Sequence, residues 1–291
     1  MLEKSGSVFV EYLRHGKEKP ELRALTTAGI QVSNEMSELL DHEARSWPVQ
    51  QLATTYRTER NMPKVSIVMS DAEVQFFNES DAYGSTNPIM AGFSLELHKI
   101  GGIVVASEEL IQDSGVDVEL LLARSFGRSL SVKLEDAFIN GDGIGKPKGF
   151  VQDCQIVSAA GSTVVYGDIE SLYKSLDEKL LPNASWLVNR ETLALLSKLS
   201  DGSGSRCLIP DTTGETAGYL FGKPTYVSFL PPEKPIAFGD FSQYVIVEKP
   251  ATIRRLVQKY GDYGQVGFLF QERLDGRLFN PDAVLALEMG E

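Results

Sequence analysis

The sequence predicts an α+β fold in which one long helix accompanies several short strands. Residues 117–140 contain no proline and a single glycine, and apolar side chains recur at a spacing of four from Leu122 to Phe138. That spacing is typical of an amphipathic helix, which would be about 35 Å long at ~1.5 Å per residue. Residues 65–69 and 93–97 instead alternate apolar and polar side chains, which predicts two half-exposed strands.

The composition is that of an ordinary globular protein, with 42% hydrophobic and 23% charged residues among 291. A formal net charge of −12 argues against a nucleic-acid-binding surface over most of the chain. Cys154 and Cys207 provide neither a disulfide framework nor metal-ligand spacing, and the three histidines are scattered. No apolar run has the length of a membrane span, and no signal-peptide core is present. We therefore expect no cofactor, no metal and no membrane contact, and a reducing, cytoplasmic site of folding.

The N-terminal segments are predicted to be weakly structured. Residues 1–32 mix charges of both signs with one short apolar cluster, which predicts a frayed terminus with one short helical turn. A polar helix is predicted from Asn34 to about Ala44, and a strand from Val49 to Tyr56.

The two alternating strands enclose a long polar tip, residues 78–88. A two-stranded ribbon of this length is not stable alone in water, so it either folds back on its own domain or lies on another subunit. From the residues alone, folding back is the favoured interpretation.

The long helix has clear signals at both ends. Ser114 with Asp117 three residues later is the spacing of an N-terminal cap. Asn140–Gly141 predicts the end of the helix, with Gly141 in the left-handed conformation. The glycine-rich loop 141–149 that follows is predicted to be a structural turn, because it comes after a helix and has Pro147 where a phosphate-binding loop needs Ser or Thr.

The second half of the chain predicts further short elements. Two strands are expected at 154–157 and 163–166, followed by a helix that opens at Gly167. A buried strand starting at Trp186 would run into a helix that continues through Leu199. Asp275–Gly276 lies between two alternating runs, which predicts a hairpin turn.

Several of these segments resemble, in the same order, the HK97-fold major capsid proteins of tailed bacteriophages. Residues 135–143 (EDAFINGDG) with the Pro-Lys-Gly of 147–149 resemble the end of that family's spine helix and its following loop. Residues 238–244 resemble its Gly-Asp-Phe turn, and residues 268–276 its Arg-x-Asp-Gly hairpin. The structural motif residues identified in this way are Asn140, Gly141, Asp142, Gly143, Pro147, Gly149, Gly239, Asp240, Phe241, Arg273, Asp275 and Gly276.

The resemblance implies a domain map. The parts are an N-terminal arm (1–32), an extended β-hairpin E-loop (57–100), a peripheral domain (33–56, 101–166 and 246–291, with the spine helix at about 117–140) and an axial domain (167–245). In this family the E-loop overlaps a neighbouring subunit, so the resemblance reverses the preference for folding back. Phe76, Phe77 and Glu79 match its aromatic-plus-Glu signature. With Arg124 and Arg128, which share one helix face, they are the predicted intersubunit contacts.

The implied function is structural. Copies of the chain would assemble into hexamers and pentamers of an icosahedral phage or prophage shell around double-stranded DNA, which is contacted only by non-specific proximity. Further expected partners are scaffolding, prohead protease and portal proteins. The expected location is the virion, after assembly in the cytoplasm of a bacterial host. No lysine occurs from Val74 to Pro88, so the Lys–Asn isopeptide crosslink of some relatives is predicted to be absent.

Two other functions are alternatives to this one. An encapsulin-like compartment shell of the same fold would hold protein cargo instead of DNA. A cytosolic α/β enzyme would need a catalytic signature, and neither GxSxG nor HExxH is present. Asp240, Glu272, Arg273 and Asp275 could form a carboxylate site, but a solvated hairpin with internal ion pairs is the better interpretation. No catalytic residue is predicted.

Overall fold

A computed structural model describes residues 46–59, 63–70, 89–113, 118–159, 161–200, 204, 206–214, 216–256 and 259–290. The predicted arm, the polar helix at 34–44, the tip of the ribbon and the cap at Ser114 lie outside these residues. None of the helices in the described ranges is both long and apolar enough to cross a membrane.

The chain divides into two compact units. The first contains Ile100–Gly127 and Ala251–Glu272, and the second contains Ala44–Lys99, Arg128–Pro250 and Arg273–Glu291. Each is described by itself below.

The α+β prediction is confirmed, with few helices and mixed sheets. Within the described residues the helices are α1 Pro48–Leu52, α2 Glu108–Asp113, α3 Val118–Asn140, α4 Tyr166–Ser175 and α5 Arg190–Leu196. The strands are β1 Thr54–Arg57, β2 Lys64–Ser70, β3 Ile89–Ser94, β4 His98–Ser107, β5 Gln155–Ser158, β6 Ser185–Val188, β7 Leu208–Ile209, β8 Gly218–Leu220, β9 Lys223–Val227, β10 Ile236–Gly239, β11 Tyr244–Leu256, β12 Gln265–Leu278 and β13 Val284–Glu288. They form a four-stranded sheet (β1-β11-β12-β4), a seven-stranded sheet (β5-β13-β10-β6-β9-β8-β7) and the two-stranded ribbon β2-β3.

The long helix predicted at 117–140 is α3, and its apolar stripe has the predicted spacing. Leu122 and Phe126 pack against the core of the first unit, where the Phe126 ring stacks on Phe270 with centroids 4.5 Å apart. Leu130 and Phe138 are buried in the second unit. A stripe that winds round the helix therefore serves different cores along its length.

The seven-stranded sheet has its own core in the second unit. The indole of Trp186 stacks on Phe238 with centroids 4.0 Å apart, and its Nε1 donates to the carbonyl of Leu220 at 2.9 Å. Strands β5 and β13 also pair in this sheet, in parallel, although the domain map gives both to the peripheral domain. That map stays a prediction.

The alternating runs do form an antiparallel pair, β2 with β3, with a register irregularity between Val68 and Ser70. The second strand ends earlier than predicted, at Ser94. Beyond it Leu95 is buried against β11, and Phe93 makes an edge contact with Phe279 at 4.9 Å.

Three local predictions are wrong. Residues 49–56 are not one strand, because Pro48 at the start of α1 favours a helical turn before β1. Residues 163–166 form no strand, since the carboxylate of Asp168 accepts from the Val165 amide at 3.0 Å and caps α4. Helix α5 ends at Leu196 and does not continue through Leu199.

Candidate functional site

Three motifs that are far apart in the chain meet in the second unit. We call this site the motif junction, defined as the loop 140–149, the turn 239–244 and the pair Asp275–Gly276. The Lys148 amide donates to the carbonyl of Gly276 at 3.2 Å. The Tyr244 hydroxyl donates to the carbonyl of Lys148 at 2.8 Å. These two bonds join all three motifs.

The loop after α3 is closed by its own backbone. The Gly141 amide continues the helical pattern by donating to Ala137 at 2.9 Å, and the Gly149 amide donates to Gly141 at 2.9 Å. Asp142 and Lys148 form an isolated antiparallel bridge. The loop therefore leaves the helix and returns to its end within a few residues.

The prediction that Gly141 adopts the left-handed conformation is wrong. That conformation occurs instead at Gly143 (φ 79°) and Gly145 (φ 69°). Gly141 is needed for a different reason, since a Cβ there would lie 2.0 Å from the carbonyl oxygen of Pro147. A Cβ on Gly149 would lie 2.2 Å from the carbonyl oxygen of Ile139. Both glycines permit a backbone-to-backbone approach that a side chain would prevent.

Asp142 organises the tip of this loop. Its Oδ1 accepts from the Ile144 amide at 3.0 Å, and that bond is the main reason why the pKa of Asp142 is lowered. The Lys146 ammonium lies 3.6 Å from the same carboxylate. Ile144 is then held at the tip with 82% of its surface exposed. The Ile144 amide is occupied within the loop, as expected of a structural turn.

The helix end is fixed by Asn140. Its Nδ2 donates to Oδ1 of Asp136 at 2.9 Å and to the carbonyl of Phe229 at 3.1 Å. The second bond joins α3 to the segment after β9.

The Gly-Asp-Phe turn follows β10. The Asp240 amide donates to the carbonyl of Ala283 at 2.9 Å, and its Oδ1 accepts from the Ser242 amide at 3.0 Å. Phe241 is buried edge-on against Phe150, with ring centroids 5.4 Å apart. A Cβ on Gly239 would lie 2.1 Å from the Ala283 carbonyl oxygen, so this glycine is also required by close approach.

Tyr244 is the fully buried centre of the junction. Its ring lies 5.8 Å from that of Phe138 and 6.4 Å from that of Phe150. Burial is the first cause that raises the pKa of its phenol well above the usual value, followed by the nearby carboxyl of Asp275. The hydroxyl therefore stays protonated and donates to Lys148.

The hairpin predicted at Asp275–Gly276 is wrong, because both residues lie inside the continuous strand β12. A Cβ on Gly276 would lie 2.5 Å from the Tyr244 hydroxyl, so packing and not a turn requires the glycine. The Asp275 carboxylate accepts from the amides of Glu96 at 3.2 Å and Gly276 at 2.8 Å. Burial raises the pKa of Asp275, and these bonds partly oppose the shift.

A cavity of about 360 Å³ adjoins the junction within the second unit. Its lining carries charges of both signs, from Glu96, Asp142, Asp275, Lys148 and Arg277. The other lining residues are Ser94, Leu95, His98, Gly143 and Gly276. The alternative carboxylate site of Asp240, Glu272, Arg273 and Asp275 gains no support, because Asp240 and Asp275 each accept hydrogen bonds from backbone amides. In the described part of the chain, no cluster of His, Cys, Asp and Glu could hold a metal ion.

Glu135 is a site residue whose role was not predicted. It is completely buried on α3, and its Oε1 accepts from the Val49 amide at 3.1 Å and from the Ser228 hydroxyl at 2.5 Å. Burial raises its pKa to about 7, although these hydrogen bonds act in the opposite direction. Its place beside the stripe residues Leu134 and Phe138 was the one sequence signal for burial.

The predicted intersubunit residues are only partly described. Phe76, Phe77 and Glu79 lie outside the described residues. Arg124 and Arg128 are exposed on α3, and neither forms an ion pair with another described side chain. Arg273, the remaining motif residue, lies in β12.

A family model described as the phage capsid family matches residues 31–289, so the chain belongs to the phage capsid family. No curated protein matches it.

Solved capsid structures share the fold. The capsid of the native GTA particle is 22% identical, with 86% of this chain and 91% of that chain covered and a TM-score of 0.66. The capsid of the empty GTA particle is 24% identical, with 86% and 90% covered and a TM-score of 0.69. A structure of Mycobacterium phage Adephagia is 13% identical, with 94% and 99% covered and a TM-score of 0.61.

The function prediction is therefore confirmed at this level. The protein is a structural major capsid protein of a phage-type virion, its copies associate into a shell, and the family is not enzymatic. The encapsulin alternative is not favoured.

Proposed function

We propose that this chain forms the hexamers and pentamers of an icosahedral phage or prophage head that encloses double-stranded DNA and is assembled in the host cytoplasm. The observation that carries the proposal is the family match over residues 31–289, which spans both compact units. The net charge of −12 fits a shell that contains DNA without binding it tightly. Scaffolding, prohead protease and portal proteins are the further partners proposed.

The ribbon β2-β3 supports the proposed E-loop. It pairs with no third strand in the described residues, and a two-stranded ribbon gains little stability alone. We assign residues 57–100 to an E-loop that lies on a neighbouring subunit, and residues 1–32 to an arm that does the same. The peripheral and axial domains keep the bounds predicted from the sequence.

The intersubunit contacts are proposed between opposite charges. Glu79 and the aromatic pair Phe76–Phe77 would meet the exposed face of a neighbour's spine helix that carries Arg124 and Arg128. Charge reversal at one side, Glu79→Arg, would then reduce the yield of shells. The compensating change Arg128→Glu would restore part of it, whereas restoration by Lys133→Glu, at an exposed position of the same helix, would contradict the pairing.

The contents of purified particles test the proposed role. Particles collected from producing cells and treated with nuclease would release protected double-stranded DNA on denaturation. Particles that hold a defined protein and no nucleic acid would instead support a compartment shell. On a denaturing gel the shell protein would run as a monomer, and a covalent ladder would contradict the proposal of an uncrosslinked shell.

A further inference from the structure

Glu135 joins three segments of the second unit. It lies on α3, its Oε1 accepts from Val49 in α1, and it accepts from Ser228 directly after β9. Gln50 adds a parallel link, since its Nε2 donates to the carbonyl of Ser131, one turn before Glu135 on α3. We call the four residues Val49, Gln50, Glu135 and Ser228 the Glu135 cluster.

Two oxygens of this cluster lack hydrogen-bond partners among the described residues. They are Oε2 of Glu135 and Oε1 of Gln50, and both are buried. The Val49 amide and the Ser228 hydroxyl donate to the other oxygen of Glu135, and no ion pair among the described side chains includes this residue. Complete burial with one unpartnered oxygen and no countercharge favours the neutral acid.

We propose that Glu135 is a proton-dependent latch, which holds α1 against the spine helix when its carboxyl is protonated and loosens α1 when the proton passes to water. A buried carboxylate without a countercharge is costly, and release of α1, whose Val49 amide contacts the carboxylate, would expose Glu135 to water. Helix α1 has five residues, and its release would expose the buried Val49 and Gln50 and separate the rings of Trp47 and Phe229.

Among the described residues, no charged side chain next to the Glu135 cluster could set this pH dependence in place of Glu135. Helix α1 contributes Val49 and Gln50, and the segment after β9 contributes Ser228 and Phe229, all uncharged. From β11 the cluster is approached by the phenol of Tyr244, which is itself kept neutral by burial. On α3 the neighbouring Asp136 is exposed and bonds to Asn140.

The direction of the switch follows from burial. The pKa of Glu135 is raised to about 7, so the latch is closed at mildly acid pH and opens as the pH rises through neutrality. Ser228 favours the charged form by donating to it, so its removal would move the opening to higher pH.

In the proposed shell, the latch would hold α1, which follows the N-terminal arm in the chain, more firmly below neutral pH. This consequence rests on the proposed function, whereas the latch itself does not. The test is therefore made on the full chain kept unassembled by dilution, where a failure to form shells has no effect on the result.

Trp47 reports on the latch. Its ring lies 4.5 Å from that of Phe229 at the start of α1, while Trp186, the only other tryptophan, is fully buried. Acrylamide quenching is measured from pH 5.5 to 8.5, and the Trp47→Phe variant identifies the signal of Trp47. We expect the quenching constant of Trp47 to rise about twofold or more through neutral pH as α1 opens.

Variants decide between the latch and a general effect of pH. Glu135→Gln keeps the shape without the charge, so quenching would stay low throughout. Asp136→Asn removes the same charge one residue away and would keep the wild-type transition. Ser228→Ala would shift the transition to higher pH, and it carries the test should the Gln variant fail to fold. A flat wild-type profile, a transition that survives in Glu135→Gln, or a downward shift in Ser228→Ala would overturn the proposal.

Discussion

Gly149→Ala tests whether the motif junction depends on close backbone approach. The new Cβ would lie 2.2 Å from the carbonyl oxygen and 2.4 Å from the carbonyl carbon of Ile139, both backbone atoms. Relief requires a shift of nearly 1 Å between segments that are fixed by the 2.9 Å bond from Gly149 to Gly141. We therefore expect the free energy of unfolding to fall by about 3 kcal/mol, the upper end of the range for overpacked sites.

The measurement is thermal unfolding of the unassembled subunit. A loss of about 3 kcal/mol would lower the Tm by about 6–12 °C for a chain of this size. Gly167→Ala is the matched control, because a Cβ added at Gly167 in α4 would have no atom within 4 Å and an alanine favours the helix. The control should be neutral or slightly stabilising. A Gly149→Ala variant that unfolds within about 2 °C of the wild type would refute the reasoning.

Three further predictions concern single side chains and use the same measurement. Tyr244→Phe removes the buried hydrogen bond to Lys148 and should cost about 1–2 kcal/mol, so an unchanged Tm would contradict its role in the junction. Asn189→Ala removes the cap that accepts from the Thr192 amide at 2.8 Å and should cost about 1 kcal/mol, with Asn189→Asp as the variant that keeps the cap. The folded pKa of Glu135 is raised from 4.5 to about 7, so its contribution is present at low pH and is lost as the pH rises. Between pH 5.5 and 8.5 this loss is about 2 kcal/mol, and Glu135→Gln should abolish that part of the pH dependence.

Local sequence signals predicted the elements that are stabilised locally. Helix α3 followed from its apolar spacing and the absence of proline, and the ribbon β2-β3 from its alternation. Each of these patterns is a property of neighbouring residues. The strand expected at 49–56 was misjudged because Pro48 begins a short helix, a signal only one residue long.

The motif junction shows what local patterns could not predict. Asp275–Gly276 has the composition of a hairpin turn, but its glycine faces the ring of Tyr244, which is 32 residues earlier in the chain. Gly141 looked like a left-handed cap, whereas its constraint is the carbonyl of Pro147. Such close approaches depend on tertiary contacts, which local patterns do not contain. The sequence therefore identified Gly141 and Gly276 as structural residues but predicted the wrong reason for each glycine.

The burial of Glu135 has the same origin. Its charge suggested an exposed position, and the hydrogen bonds from Val49 and Ser228 come from segments 86 and 93 residues away. Only its position beside the apolar stripe of α3 hinted at a buried carboxyl.

The most direct test of the account is the assembly state of the purified chain. Light scattering and negative-stain microscopy would follow the protein from dilute to concentrated solution. A shell subunit should form rings of five or six copies, tubes or closed particles as the concentration rises. A compact monomer at every concentration, with residues 57–100 protected from proteolysis because the ribbon folds back on its own subunit, would contradict it.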